Sequence, residues 1–120
     1  MVKIAYTATY TTTAIVRSRA ENIGAAAPSD AEITEFIGQA QQLIDGLLRF
    51  SLMDSFDENK HGIVKMVCTD IAAFYAIAHD PSGFTTVSEA ALILDIIYTN
   101  MVRGIELLRD DRIRTQLKEA

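Results

Sequence analysis

Apolar positions fall at helical spacing along most of this chain, and the polar residues between them mark where helices start and stop. The strongest signal follows Pro28. Ser29-Asp30-Ala31-Glu32 has the form of a capping box, in which the serine hydroxyl takes one unpaired backbone N–H and the glutamate reaches back to another. Ile33, Phe36, Ile37, Ala40, Leu43, Ile44, Leu47 and Leu48 then make one stripe, with Glu35, Gln39, Gln42, Asp45 and Arg49 on the other side. The spacing predicts a helix that fades near Met53. Gly38 and Gly46 weaken it intrinsically and are expected to admit another backbone at close range.

A further helix is predicted over Gly62 to His79. It is apolar nearly all round, with Lys65, Thr69 and Asp70 in one narrow polar strip, so it belongs in the middle of the packing. His79-Asp80-Pro81-Ser82-Gly83 ends it, because Pro81 disfavours helix at Asp80. Thr86-Val87-Ser88-Glu89 is a second capping box, opening a helix whose apolar positions run from Ala90 to Leu108. Before Pro28, a short helix is predicted near residues 12–22. Thr11, Thr12 and Thr13 are each able to cap it, Ile15, Arg19 and Ile23 repeat along it, and Gly24 stops it before the loop Ala25 to Pro28. The expected fold is all-α: a four-helix bundle-like domain over 11–110, an extended N-terminal arm over 1–10 and a polar C-terminal tail over 111–120. The expected core is Ile33, Phe36, Ile37, Leu43, Ile44, Leu47, Ile63, Val67, Ile71, Phe74, Ile97 and Met101.

The two ends break the helical pattern. In YTATYTTTAIV, Tyr6 to Val16, five of eleven residues are threonine and none is charged. Before it, Val2 and Ile4 alternate with Lys3 and Ala5, as in a strand. A lone strand cannot satisfy its own ladder, so the arm Val2 to Tyr10 is expected to meet another chain. In the tail DDRIRTQLKEA only Ile113 and Leu117 remain apolar, four apart. It extends the last helix, forms a separate one or frays, and those two residues suit docking onto another chain. The candidate interface residues are therefore Val2, Ile4, Tyr6, Tyr10, Ile113 and Leu117.

Composition narrows the function. With 120 residues, 49% hydrophobic and 22% charged, the chain is one globular domain able to fold without a disulfide or a metal. Its net charge is −5, which opposes binding to phosphates. Cys68, the single cysteine, lies among Val67, Ile71 and Ala72 and reads as a buried thiol in a reducing compartment. The threonine-rich start has no apolar signal core, and Lys65, Thr69 and Asp70 interrupt the richest apolar stretch, so neither a secretory leader nor a membrane span is expected. Asp70 in the central helix requires a partner: Arg17, Arg103 or a neighbouring subunit, unless its strip reaches water.

Candidate chemistry is sparse. Asp54, Asp57, Glu58 and Asn59 lack the spacing of a calcium loop and read as a solvated turn that also holds His61. His79 reads as a helix-end cap. The glycines are too scattered for a phosphate loop, and no nucleophile–histidine–acid set is suggested. No enzyme, metal or cofactor is expected; the residues point to a helical domain that works by interaction.

Four short patterns resemble a known family. They are Tyr10-x-Thr12 leading to Val16; Ser29-Asp30-Ala31-Glu32-Ile33; Ile37, Ala40, Ile44, Asp45 and Leu48; and Ile63 or Val64, then Val67 or Cys68, before Asp70-Ile71-Ala72. Together with the fourth helix and polar tail, over roughly residues 10–110, they resemble the small head–tail connector (adaptor or head-completion) proteins of tailed bacteriophages. Many of those carry a proline before the third helix, where this chain has Lys60-His61-Gly62. The resemblance implies a homo-oligomeric ring, commonly of twelve subunits, between a portal protein and a tail or stopper component. It implies a virion protein at the head–tail junction, made in the host cytoplasm, with DNA passing through unbound and no membrane. Two alternatives to the connector role stay open: another small virion assembly protein of the tail-completion type, or a small helical module that binds one partner.

Overall fold

The computed structural model describes residues 7–20, 29–79 and 87–119. Within them the chain is all-α, with five helices and no strand: α1 (Thr13–Arg19), α2 (Asp30–Leu48), α3 (Gly62–His79), α4 (Val87–Leu108) and α5 (Asp111–Glu119). Helix α3 is the axis, packed against α1, α2 and α4, while α5 folds back from the end of α4. Val64, Val67, Cys68, Ile71, Ala72, Ala73, Ala76 and Ile77 of α3 are all fully buried. This is the packing expected of a helix with apolar residues on nearly every side.

Helix starts follow local chemistry. The Ser29–Glu32 capping box is present in both directions. Of the three candidate threonines it is Thr12 that caps α1, its hydroxyl accepting from the Ile15 N–H at 3.3 Å. Thr11 turns inward and bonds the Thr69 hydroxyl at 2.7 Å. The tail forms its own helix, because Asp110 Oδ1 accepts from the N–H groups of Arg112 and Ile113 and caps α5.

Helix ends follow tertiary demands, and here the expectations need correcting. Helix α1 stops at Arg19, with Ala20 as its C-cap. Helix α2 stops at Leu48, short of Met53, with Arg49 in the left-handed region at φ 66°. The turn brings Leu52 into the core and its N–H to the Tyr10 hydroxyl. The buried face of α2 is also rotated from the expected stripe. Ile33, Ile37, Ala40, Gln41, Ile44 and Leu48 are inside, whereas Leu43 is 41% exposed. The cause is the arm, which lies over Gln41. Val2, Ile4, Tyr6, Ile23, Gly24, the Ala25–Pro28 loop, the turn at Asp80–Gly83 and the cap at Thr86 lie outside the described residues.

Two glycines on helices behave oppositely. A Cβ at Gly46 would meet nothing within 4 Å, so the backbone approach expected there is not made. A Cβ at Gly104 would lie 2.5 Å from Val67 Cγ2, in the seam between α3 and α4. Val67 is buried and stiff at χ1. Gly46→Ala is expected to stabilise the protein by about 0.5–1 kcal/mol through helix propensity. Gly104→Ala is expected to destabilise it by about 1–3 kcal/mol through overpacking, despite the same propensity gain. Denaturant titration of both variants checks the opposite signs.

Candidate assembly surface

The arm is held by a side chain, not a strand. The Gln41 amide, buried on α2, accepts at Oε1 from the N–H groups of Thr9 and Tyr10 at 2.6 and 2.9 Å, and donates from Nε2 to the Thr7 carbonyl at 3.0 Å. One glutamine thus serves the arm as a ladder partner would, and its own polar atoms are satisfied by the same bonds. Tyr10 follows, fully buried. Its hydroxyl donates to Asp45 Oδ1 at 2.5 Å and accepts from the Leu52 N–H at 3.0 Å. Burial, reinforced by the bond to Asp45, raises the phenol well above its ordinary pKa.

The same loop holds the other end of the chain. The Tyr10 ring packs on Phe56, and Phe56 on His61, with centroids 5.1 and 5.8 Å apart. His61 is buried. Its Nδ1 accepts from the Asp57 N–H at 3.0 Å, which leaves the ring proton on Nε2 to donate to the Leu117 carbonyl at 3.2 Å. Leu117 is buried and Ile113 packs half-buried against the core. Tyr10, Ile113 and Leu117, candidates for contact with another chain, are thus packed within their own. Val2, Ile4 and Tyr6 lie outside the described residues. Gln41 and His61 were not singled out for these roles, since only the fold brings the ends of the chain to them.

Asp70 is buried, and its partner is Arg19 rather than Arg17 or Arg103. Arg19 Nε donates to Asp70 Oδ1 at 2.6 Å, while Arg17 pairs with the exposed Asp30. Asp70 Oδ2 is buried with no hydrogen-bond partner among the described residues. Burial raises the Asp70 carboxyl above its ordinary range, and Arg19 draws it partly back. The pair closes one end of an open groove of about 330 Å³ between α1 and α3, where Ile15, Lys65 and Met66 also lie. A second groove, about 350 Å³, separates the end of α2 from α5 and is lined by Leu48, Arg49, Phe50, Asp111, Arg114, Thr115 and Lys118. Cys68 is buried, and burial pushes its thiol up to about 12, with the Asp45 carboxylate adding to the effect. No group of three or more histidine, cysteine, aspartate or glutamate side chains is placed to hold a metal among the described residues. None of their helices is long and apolar enough to cross a membrane.

Among the described residues, several large apolar side chains stand exposed. On α4, Leu92, Ile96 and Leu107 are 60%, 48% and 39% exposed. At 3.6 residues per turn they fall, with Arg103, within about 60° of one another, on a face turned about a third of a turn from the buried Ile97 and Leu108. Tyr98 on the flank and Met66 on α3 are each half exposed. Compared with protein-family models, curated proteins and solved structures, the chain finds no match.

Two substitution sets probe the anchored ends and the buried pair. Tyr10→Phe strands the buried Leu52 N–H and is expected to cost about 1–3 kcal/mol in denaturant unfolding. Arg19→Ala leaves the Asp70 carboxylate without its cation and is expected to cost about 3 kcal/mol at neutral pH, the low end of the usual range because Arg19 is partly solvated. Arg17→Ala, facing an exposed acid, is expected to cost about 1 kcal/mol or less. A carboxyl raised in the fold takes up protons more readily there than in the unfolded chain. Its stabilising contribution is present at low pH and lost as pH rises through the raised folded value. The Arg19→Ala deficit is thus expected to shrink on acidification, and Asp70→Asn to remove most of it at neutral pH. Melts across the pH range check both.

Proposed function

We propose that this chain is a structural assembly protein, a head–tail connector of a tailed bacteriophage that forms a ring below the portal and joins capsid to tail. The observation that carries the assembly part is the uncovered α4 stripe of Leu92, Ile96 and Leu107. Apolar side chains that line up on one helix face with nothing over them mark an interaction site more often than chance exposure does. The bundle places them rigidly, since α4 is seated on α3 through Gly104. The connector part rests on the resemblance of the four motifs between Tyr10 and Ala72. The net charge of −5 suits a channel wall: a negative surface repels phosphates and lets DNA slide past.

Assembly in this reading uses surface the monomer leaves open, and no chemical step is required of any side chain. The test is the mass of the protein in solution, alone and mixed with a purified portal protein from its own phage. A portal-bound ring of six or more copies is expected by light scattering and by imaging. A chain that stays monomeric and binds no portal would overturn the connector reading.

A further inference from the structure

We infer that the α4 stripe is self-complementary and pairs, antiparallel, with the same stripe of a second copy. This rests on the reading of α4 as an assembly surface but not on the connector role. Asp95 and Arg103 are both exposed, four residues either side of Thr99, and neither forms an ion pair within its own chain among the described residues. They stand about 12 Å apart along the axis, too far to meet each other in one helix. Leu92 and Leu107 lie seven and eight residues either side of the same threonine.

A two-fold axis at Thr99 therefore brings unlike charges, and like apolar groups, to the same level along the two helices. Leu92 of one copy meets Leu107 of the other. The aliphatic stem of Arg103 covers Ile96 across the axis while its guanidinium reaches Asp95. Thr99, small and exposed, lets the two helices cross closely at the centre. Each patch is its own partner, so the contact closes at two copies and cannot by itself propagate into a ring. A single helix-on-helix contact is a small interface, which makes the expected dimer weak and concentration-dependent. It would hold the chain as a reversible pair until a larger surface competes for α4.

Sedimentation equilibrium of the full chain, from micromolar to millimolar concentration, reads this directly. A monomer–dimer equilibrium is expected. Ile96→Glu should abolish it, and Asp95→Arg or Arg103→Asp alone should weaken it about tenfold or more by opposing like charges across the axis. The double variant Asp95→Arg with Arg103→Asp should restore the dimer, because the two-fold axis exchanges both charges at once. All three positions are surface sites, and circular dichroism confirms that the variants remain folded. Failure of the double variant to restore dimerisation overturns the pairing, as does a monomer at every concentration. A ring indifferent to both charge reversals also overturns it, while leaving the assembly reading intact.

Discussion

Helix α3 has to be covered on nearly every side, and the rest of the structure is placed by that need. Its sequence offers one polar strip, Lys65, Thr69 and Asp70, and even there the fold buries Thr69 and Asp70. Helices α1, α2 and α4 take three sides. The polar groups this burial traps find partners close by. Thr69 bonds the Lys65 carbonyl and the Thr11 hydroxyl, each at 2.7 Å, and Asp70 finds Arg19. Buried polar groups are tolerable on these terms, since an unmade bond in the interior costs more than a made one contributes. The exception is Asp70 Oδ2, which has no hydrogen-bond partner among the described residues.

The loop between α2 and α3 does for the chain ends what α3 does for the helices. Tyr10 enters from the arm, His61 sits at the foot of α3, and Phe56 stacks between them. The ring row joins Gln41 and Asp45 on α2 to the Leu117 carbonyl on α5 through hydrogen bonds at its two ends. This explains why α2 ends in a left-handed arginine without a glycine. The conformation is unfavourable for a residue with a Cβ, yet it delivers Leu52 to the core and its N–H to Tyr10.

The arm and the tail, the segments that look least like a bundle, turn out to close it from Thr7 onward. Among the described residues, most of the large apolar side chains left exposed are on α4, a helix whose periodicity marks it as core. A helix apolar on two faces can seat one face on α3 and still present Leu92, Ile96 and Leu107 outward. That surplus is the surface the proposed assembly uses.

Patterns local in the chain were legible without a structure. The capping box at Ser29, the helical identity of residues 30–48, 62–79 and 87–108, the central position of α3 and the burial of Cys68 all follow from spacing and side-chain type. These depend on neighbours a few residues away. The partners of Asp70, Tyr10, Gln41 and His61 were not legible, nor was the rotation of α2 that leaves Leu43 outside. Each depends on which of several chemically equivalent groups the packing brings near: Arg19 rather than Arg17 or Arg103, a glutamine amide rather than a neighbouring strand. Sequence spacing determines which face of a helix is apolar. Only the tertiary structure decides which apolar face is covered, because that depends on how many neighbours the fold supplies.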